Sequence, residues 1–388
     1  MNVVEKIEKM ESKRTKNKDL VTIRKLADEM MPDHVSLHKI QVGGTNGKGS
    51  TSKWLSLMLK EAGYKTGVFT SPHLVCHTER ISVDGKDISL EDWERIYDRY
   101  EDLFEAEDFS MFMMDAWMAV AYFLEQKVDV AIMEIGMGGQ MDATTAFDYD
   151  AEVITNIGLE HQQYLGNTIE EIAATKGFIF KSGIGLTTET NPSALRIMKE
   201  IADHNHCPLT IVDAKAIYKD QRCYVEWNGI LYPFDLPEYQ VSNFYLALST
   251  VHQLGIELTK TQIEKVIQSF EVKGRFTVLK EHPKIVIDGA HNIHGIRALV
   301  KSVKHWDGDI YFSVLEDKNA TEMLEELEKL GAKIELVHFD SYRLYPLEKL
   351  GYPIIDMNTL EKRLQTTDRN TLLCGSLYFI GDVLKMEI

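Results

Sequence analysis

Cysteine is scarce in this chain, and long apolar runs are missing altogether. Its 388 residues include only four cysteines, and none of these has the C-x-x-C spacing: Cys76, Cys207, Cys223 and Cys374. This scatter predicts neither a disulfide framework nor a zinc site, so we expect free thiols that are mostly buried. No apolar run approaches the roughly 20 residues that span a bilayer, and MNVVEKIEKMESKRTKNKD at the start lacks the apolar core of a signal peptide. We therefore expect a soluble, cytoplasmic protein without a membrane partner.

Positive charge is in deficit, with 43 Lys and Arg against 60 Asp and Glu and a formal net charge of −17. A nucleic-acid groove or a contact with an anionic membrane would need an excess of Lys and Arg, so we expect neither partner. An anionic substrate would have to meet a local positive site. The chain is also too long for one ordinary domain, which predicts two.

The order of apolar segments predicts an α/β fold in two parts. From residue 38 to about residue 270, short apolar runs alternate with longer amphipathic ones, which is typical of a mostly parallel sheet covered on both faces. The alternation restarts after about residue 275 with KIVIDGAHN. We therefore predict an N-terminal domain over residues 1–272 and a smaller C-terminal α/β domain over residues 273–388, with Lys273-Gly274-Arg275 as the hinge.

A glycine-rich loop, GGTNGKGS at residues 43–50, follows a short apolar strand and begins a helix. Glycines let backbone N–H groups converge on phosphate oxygens, the helix N-terminus adds a favourable dipole, and Lys48 would neutralise the β and γ phosphates. The common pattern G-x-x-x-x-G-K-[ST] is not met, because three residues separate Gly43 from Gly47 and Gly49 follows the lysine. The alternative, a turn that binds nothing, offers no packing reason for a lysine between two glycines. The loop predicts an ATP site of a different P-loop subclass.

Polar side chains that could bind magnesium follow the predicted strands. Because Gly49 stands where the usual magnesium-binding hydroxyl would be, that ligand must come from Ser50 or from elsewhere, and Ser71 in the turn TSPH is a candidate. Glu134 ends the apolar run VDVAIMEIG, at the edge where ligands gather on parallel sheets, and a carboxylate there suits Mg²⁺. His161 follows a further strand. Taken alone, the acid is more often solvated and the histidine more often structural.

The segment Thr168–Phe180 predicts a helix, with Thr168 and Glu171 forming a capping box. Lys176 falls on the apolar stripe of this helix rather than on its charged face. Two interpretations stay open. Either the stem packs while the ammonium group snorkels to water, or the lysine reaches a buried charged site.

These segments together resemble the folylpolyglutamate synthase/dihydrofolate synthase family of the Mur ligase superfamily. The resemblance covers nearly the whole length in collinear blocks: GGTNGKGS, TSPHL with Glu79-Arg80-Ile81, EIGMGGQMDAT, ITNIGLEH with Leu165-Gly166, Gln240 and Asn243, KGRF, IDGAHN, Asp317-Lys318 and CGSLY. So many blocks in this order are specific to the family. The resemblance implies a P-loop ATPase domain with a mostly parallel sheet, followed by a smaller Rossmann-like domain.

The resemblance also implies a role for each matching residue. ATP is expected to contact the loop, the domain edge and the hinge, through Thr45, Asn46, Gly47, Lys48, Gly49, Ser50, Thr51, Asn243, Arg275, Asp288 and His291. The expected magnesium ligands are Ser71, Glu134, His161 and Lys176, the last as a carbamate. The expected catalytic residues are Lys48, His161 and Lys176, and the expected substrate cleft includes Ser71, Pro72, His73, Ser376 and Tyr378.

The implied reaction is amide-bond formation. ATP would phosphorylate a carboxylate of the folate, and the amino group of L-glutamate would attack the acyl phosphate, with release of ADP and phosphate. Mg²⁺ is the implied metal, with K⁺ or a second Mg²⁺ as a further cation. Whether the acid is dihydropteroate, a reduced folate or both stays open. The resemblance implies a monomer.

Several positions depart from the family pattern. The family commonly has arginine where Gln140 stands, glutamate at Thr175 and aspartate at Glu160. The residues 237–240, PEYQ, also replace the usual glycine-containing, His-Gln approach to Asn243. A neutral Gln140 in place of arginine would weaken a local contact with an anion. The changes near Lys176 would weaken the second metal site.

Three other functions compete with the amide ligase. A cell-wall amino-acid ligase would carry a uridine-nucleotide domain ahead of the P-loop, and only about 40 residues precede the loop here. A P-loop kinase or GTPase would have no use for a second domain with IDGAHN and CGSLY. A regulatory nucleotide-binding protein would need none of the expected metal ligands. The amide ligase is therefore the predicted function.

Overall fold

The computed structural model describes residues 2–13 and 19–388. Residues 1 and 14–18, which belong to the N-terminal stretch considered above, lie outside the described residues. The chain forms two compact units. The first runs to Lys215 and includes Ser242–Phe270, and the second comprises Ala216–Val241 and Glu271–Ile388. The predicted division near residue 272 did not anticipate that Ala216–Val241 groups with the second unit.

The first unit is built on one eight-stranded sheet. Its strands are β1 (His38–Gly43), β2 (Thr66–Phe69), β3 (Ile81–Val83), β4 (Lys86–Asp87), β5 (Val130–Glu134), β6 (Ala151–Ile154), β7 (Ile184–Thr187) and β8 (Leu209–Ile211). The order across the sheet is β4-β3-β2-β5-β1-β6-β7-β8. The pairs β2–β3 and β3–β4 are antiparallel and all other neighbours are parallel.

Ten α-helices accompany this sheet among the described residues. They are α1 (Val3–Ser12), α2 (Leu20–Met30), α3 (Lys48–Glu61), α4 (Leu90–Ala106), α5 (Met111–Glu125), α6 (Gln162–Leu165), α7 (Ile169–Gly177), α8 (Pro192–His204), α9 (Tyr239–Gln253) and α10 (Lys260–Ser269). Single 3₁₀ turns lie at Pro32–Val35, His77–Arg80 and Ala143–Ala146. The chain passes from the second unit into the first within α9, between Val241 and Ser242.

Two of the apolar cores of the first unit are formed by the buried faces of its helices. Residues of α1, α2, α4 and α5 pack with β2, β3 and β5 in one core, and the interior of α5 is almost wholly apolar and buried. Residues of α7 and α8 form another core. The capping box of Thr168 and Glu171 is present as predicted, but α7 ends at Gly177 rather than at Phe180. Ile179 and Phe180 are buried although they lie beyond the helix, which explains the apolar stripe in the sequence.

The second unit has two sheets. Its strands are β9 (Ile217–Lys219), β10 (Arg222–Trp227), β11 (Ile230–Pro233), β12 (Thr277–Glu281), β13 (Lys284–Asp288), β14 (Gly308–Phe312), β15 (Lys333–His338), β16 (Ile354–Asp356) and β17 (Asn370–Cys374). Its further helices are α11 (Ile293–Val303), α12 (Ala320–Glu328), α13 (Met357–Thr366) and α14 (Leu377–Val383), with a 3₁₀ turn at Leu347–Leu350. The larger sheet has the order β12-β13-β17-β14-β15-β16, and only β12 is antiparallel to its neighbour. The predicted α/β class with mostly parallel sheets is confirmed.

The smaller sheet, β11-β10-β9, is antiparallel and was not predicted. Its β10–β11 turn is Asn228-Gly229, and both residues have positive φ, +51° and +76°. Asn-Gly is the commonest sequence for a two-residue hairpin turn of this kind. The sequence pattern was therefore present but was passed over in favour of the α/β alternation.

The cysteines and the helices bear on two further expectations. All four cysteines are free, with Cys207 and Cys374 buried, Cys223 partly exposed and Cys76 exposed. The expectation of mostly buried thiols is therefore wrong for Cys76. No helix among residues 2–13 and 19–388 is long and apolar enough to cross a membrane.

Glu152 is an acidic residue in the interior of β6, where only 1% of its surface is exposed. The backbone N–H groups of Ser182 and Gly183 donate to its carboxylate at 3.4 and 3.1 Å, and the Cys207 Sγ lies 3.7 Å away. Burial raises the pKa of Glu152 from 4.5 to about 7, because these bonds do not replace the lost hydration.

Glu152→Gln is expected to flatten the pH dependence of stability. When the pKa of an acid is higher in the folded state than in the unfolded state, the unfolded state loses its proton first as pH rises. Between the two pKa values, rising pH therefore favours the unfolded state. The free energy of unfolding should therefore fall as pH rises from about 4.5 to about 7, by about 3 kcal/mol. Urea unfolding at pH 5 and pH 8 measures this. The wild-type loss between these pH values should shrink in Glu152→Gln and persist in the exposed control Glu281→Gln. An unchanged wild-type slope in Glu152→Gln would contradict the assignment.

Candidate active site

The ends of four parallel strands bring the predicted site of the first unit together. In the register of the sheet, Val42 of β1 lies opposite Glu134 of β5, and Gly43 lies opposite Ile154 of β6. Phe69 of β2 pairs with Met133 of β5. Neighbouring strands are about 4.8 Å apart, so the glycine-rich loop, Glu134, the turn after β2 and the residues after β6 all leave from the same edge.

The glycine-rich loop is held by the two residues that follow β6. The Thr45 N–H donates to the Asn156 carbonyl at 2.8 Å, and the Asn46 N–H donates to Asn156 Oδ1 at 3.0 Å. In return, Asn156 Nδ2 and Thr155 Oγ1 donate to the Asn46 carbonyl at 2.9 and 2.6 Å. Hydrogen bonds to the two residues after β6 thus fix the backbone path of the loop at Thr45 and Asn46.

Two glycines of the loop are required by close contacts. Gly44 has a φ of +132°, and a Cβ atom there would lie 1.9 Å from Thr155 Oγ1. Gly47 has a φ of +87°, and a Cβ atom there would lie 2.4 Å from Asn243 Oδ1, which also accepts a hydrogen bond from Thr51 at 3.4 Å. Asn243 therefore packs directly on the loop, and its predicted contact with the nucleotide stays a prediction.

The start of α3 suits an anion. The helix begins at Lys48 after the left-handed Gly47, and no side chain caps its first turn. The first backbone N–H groups of a helix have no partner within the helix, and the dipole places partial positive charge there. Together with the glycine contacts, this geometry fits the phosphates of a nucleotide.

Two lysines meet at one carbonyl oxygen of the loop. Lys48 Nζ donates to the Gly44 carbonyl at 3.2 Å, and Lys176 Nζ donates to the same oxygen at 2.9 Å. Lys176 is buried, with 4% of its surface exposed, so the interpretation that it snorkels to water is wrong. Burial, with the neighbouring Lys48 charge, lowers the pKa of Lys176 to about 7.

The predicted magnesium ligands lie at the same sheet edge. Glu134 is buried, and its Oε2 would be 3.5 Å from a Cβ atom on Gly49, so the carboxylate faces the first turn of α3. Ser71 is half-buried, two residues beyond β2. His161 has a φ of +51° and precedes α6, with its Nε2 3.9 Å from Glu160 Oε1. A buried carboxylate beside a phosphate-type loop, with a hydroxyl at the next strand end, fits the oxygen preference of Mg²⁺.

In the second unit, the predicted residues gather where β13 and β17 end. Asp288 of β13 lies opposite Cys374 of β17, and the Gly375 N–H donates to the Ala290 carbonyl at 2.9 Å. The Asp288 carboxylate is buried and accepts from the Tyr239 hydroxyl and the Phe276 N–H, both at 2.9 Å, and from the Ala290 N–H at 2.8 Å. Burial raises the pKa of Asp288, and the charge of Arg275 opposes that effect.

The other predicted residues of the second unit differ in exposure. Ser376 is 1% exposed and precedes α14, whereas Tyr378 is 54% exposed. His291 Nδ1 lies 2.8 Å from the Gly289 carbonyl. A Cβ atom on Gly289 would be 2.3 Å from Arg275 Nη1, which places this arginine beside the turn that follows β13. Contact of this group and of the P-loop with one nucleotide stays a prediction.

Three residues with direct contacts to the predicted site were missed. Thr155 and Asn156 belong to the block ITNIGLEH and had no predicted role, although two polar residues at the end of a buried strand indicate a role at that edge. Tyr239 stands in the segment that departs from the family pattern, and its hydroxyl supplies the bond to Asp288. The sequence pattern could not predict this bond, because it joins residues 49 positions apart.

Two other departures prove to be neighbours. The Gln140 N–H donates to the Thr175 carbonyl at 3.2 Å, and the Gln140 side chain is exposed. Thr175 Oγ1 donates to the Leu165 carbonyl at 3.2 Å. Gln140 therefore lies against the residue that precedes Lys176, and the two departures belong to one local environment.

The fold and the loop define the class of protein, a nucleotide-binding enzyme of the Mur ligase type. The sequence profile of the Mur ligase middle domain matches residues 42–251, which contain the glycine-rich loop, Glu134, Lys176 and Asn243. This match covers more than half of the chain.

Individual relatives narrow the class. A dihydrofolate synthase/folylpolyglutamate synthase of Bacillus subtilis is 32% identical, with 90% of each chain covered, and one of Escherichia coli K12 is 33% identical, with 89% and 85% covered. A solved structure of E. coli FolC in complex with DHPP and ADP has a TM-score of 0.87 at 25% identity and covers 99% and 97% of the two chains. The chain belongs to the folylpolyglutamate synthase/dihydrofolate synthase family.

Gly44→Ala is expected to weaken ATP binding at least about tenfold, because the new methyl group would lie 1.9 Å from Thr155 Oγ1 and displace the loop. Titration with a fluorescent ATP analogue measures the affinity, and a thermal melt checks folding. Gly63→Ala is the matched control, since Gly63 has a φ of +95° but nothing within 4 Å of the added atom. Folded Gly44→Ala protein with wild-type affinity would show that the loop does not bind the nucleotide.

Proposed function

We propose that this chain is an ATP-dependent ligase that joins the amino group of L-glutamate to a carboxyl group of a folate and releases ADP and phosphate. The observation that carries the proposal is the loop at Gly44, where Lys48 and Lys176 meet on a backbone packed against β6. The B. subtilis and E. coli relatives carry the corresponding activity in their names, and the related E. coli structure holds ADP.

A bifunctional enzyme is the second candidate. The B. subtilis relative aligns with this chain over 90% of its length, and its name gives both dihydrofolate synthase and folylpolyglutamate synthase. Dihydropteroate and a reduced folate share the pteridine and the aminobenzoyl group, and they differ in whether a first glutamate is already attached. One site could therefore present the terminal carboxyl of either acid to ATP. A monomeric state, a cytoplasmic location and a restriction to small-molecule partners stay predictions.

The chemistry proceeds in two substitutions. A carboxylate oxygen of the folate attacks the γ-phosphorus of ATP, and ADP leaves with the electron pair of the broken P–O bond. The glutamate nitrogen then attacks the acyl carbon, loses a proton and expels phosphate. The first-turn N–H groups of α3 and the Lys48 ammonium group would stabilise negative charge on the transferring phosphoryl group. Asn243, which packs against this loop from α9, would contact the nucleotide.

Ser71, Glu134 and His161 would hold a divalent cation such as Mg²⁺. When bound, this ion offsets charge on the phosphate oxygens. Glu134 is well placed for that role because its carboxylate faces Gly49, where a bulkier residue would separate it from the loop. The nucleotide contacts proposed for the second unit are Arg275, Asp288 and His291.

Lys176 is proposed to act as a carbamate. Its ammonium form lies beside that of Lys48 on one carbonyl oxygen, an arrangement in which two like charges repel. A carbamate forms from the neutral amine and carbon dioxide, and it carries a negative charge. The modification would turn the repulsion between these side chains into attraction and would supply oxygen atoms to a second cation, Mg²⁺ or K⁺.

ADP release should require both a pterin acid and L-glutamate. Purified protein with MgATP is assayed with dihydropteroate or tetrahydrofolate, each with and without glutamate. Turnover with tetrahydrofolate alone supports a folylpolyglutamate synthase, and turnover with both acids supports the bifunctional enzyme. ADP release that is independent of the amino acid would refute amide ligation.

Lys176→Ala is expected to lower kcat by at least about a hundredfold. Added bicarbonate with a short carboxylate, such as acetate, should restore part of the activity, because a small anion can replace the carbamate oxygens. Lys39→Met is the matched control. Lys39 is also a buried lysine bonded to backbone carbonyls, but it lies near the start of β1, at the opposite edge of the sheet. A fully active Lys176→Ala variant, or equal rescue of any loss in Lys39→Met, would contradict the proposed role.

A further inference from the structure

A cluster of five charged or titratable side chains lies beside the turn that bears Ser71. Glu11 comes from the end of α1, His73 from the turn after β2, His77 and Arg80 from the following 3₁₀ turn, and Asp115 from α5. The side chain of Asp115 is fully buried, those of His77 and Arg80 are 2% and 7% exposed, and those of His73 and Glu11 are 24% and 39% exposed. Of these five residues, only His73 was expected from the sequence to line the substrate cleft, and the function proposed above gives none of them a role.

The donor atoms of Glu11, His73 and His77 lie within 4.8 Å of one another, a spacing compatible with a metal ion. The hydrogen bonds argue for a different assignment. His77 Nδ1 lies 2.8 Å from Glu11 Oε1 and His77 Nε2 lies 2.7 Å from Asp115 Oδ1. Because both ring nitrogens face carboxylate oxygens, both carry a proton, and His77 is an imidazolium ion.

His73 is fixed by the same reasoning. Arg80 Nε donates to His73 Nδ1 at 3.0 Å, and an arginine does not give up its proton. The proton of the neutral His73 ring is therefore on Nε2, which lies 3.8 Å from Glu11 Oε1. A metal ion at Nε2 would move this proton to Nδ1, where it would face the N–H of Arg80. The cluster is thus a closed ion network, in which two cations, His77 and Arg80, are matched by two carboxylates, Glu11 and Asp115.

Other hydrogen bonds hold the two ends of the Ser71–His73 turn, on which the network acts. The Thr70 N–H donates to the Arg80 carbonyl at 2.9 Å. The Glu79 carboxylate accepts from three successive N–H groups at 2.8, 3.1 and 3.0 Å, those of Leu74, Val75 and Cys76. These bonds fix both flanks of Ser71, Pro72 and His73, and Arg80 fixes the His73 ring between them.

We propose that Glu11 and Asp115, acting through His77 and Arg80, are positioning residues that hold the Ser71–His73 turn in the form that receives the pterin acid. His73 then presents a fixed Nε2–H donor, and the substrate atom it meets is an acceptor such as a carbonyl or carboxylate oxygen. The inference rests on the proposed function for the identity of the substrate. The ion network itself does not depend on it.

Glu11→Gln tests the proposal with little change of shape. Removing one negative charge leaves two cations against Asp115 alone, which should loosen the turn. The KM for the pterin acid is expected to rise roughly tenfold, while the KM for ATP stays within about twofold, because the P-loop is held by β6. Steady-state kinetics with each substrate varied in turn measure the split.

Lys6→Gln is the matched control for loosening of α1. Lys6 anchors the same helix to Glu94 and Asp98, at 2.9 and 2.6 Å, without touching the network. An unchanged pterin-acid KM in Lys6→Gln, with the rise in Glu11→Gln, supports the proposal. An equal rise in both variants, or no rise in Glu11→Gln, would overturn it, since Glu11 would then serve only to dock the helix or not act at all.

A readout independent of turnover is the nitrogen-15 NMR spectrum of the histidine rings in the wild-type protein. The expected pattern is His77 protonated on both nitrogens and His73 protonated on Nε2. Stoichiometric Zn²⁺ binding that is lost in Glu11→Gln, with deprotonation of His77, would show a metal site and overturn the network. If the wild-type protein releases no ADP with any pterin acid, the proposed function fails, and the ring spectra together with a direct dihydropteroate binding titration still decide the positioning role.

Discussion

The packing of the Gly44 backbone against Thr155 is the contact on which the candidate site depends. Parallel pairing of β1 with β6 brings the two segments together, and only a residue without a side chain allows them to approach so closely. Asn156 then fixes Thr45 and Asn46 by hydrogen bonds, and α3 begins two residues later. The positions of the Thr45 and Asn46 N–H groups thus follow from the register of the sheet.

A second layer of the site is electrostatic. The chain carries a large excess of negative charge, yet Lys48 and Lys176 converge on one carbonyl oxygen and Glu134 lies against the same helix start. Local field rather than net charge therefore decides which ligand is attracted. The buried network around His77 shows the opposite arrangement, in which each charge is matched by a neighbour and the region is neutral as a whole. The first arrangement suits a ligand of opposite charge, and the second agrees with the positioning role proposed for it.

The alternation of apolar runs was sufficient to predict the α/β class, because burial of strands between helices imposes that pattern directly. The glycine loop and the acid at the end of β5 could be placed at one edge for the same reason. Lys176 could not be decided, since periodicity places a residue on a face of a helix but does not say what that face covers. Tyr239 and His77 were out of reach altogether, because their bonds join positions far apart in the chain. The hairpin at Asn228-Gly229 has a recognisable turn sequence, but it lies within a region whose alternating apolar segments predict strands and helices of a parallel sheet.

The pair of lysines at the Gly44 carbonyl has a consequence for the balance between stability and activity. Burying Lys176 as an unmodified ammonium group beside Lys48 would oppose folding of the nucleotide-free protein, and a bound phosphate anion or the proposed carbamate would relieve that opposition. The residues that make the loop attractive to ATP thus weaken the fold that carries them. A sequence selected only for thermal stability would be expected to lose one of these lysines.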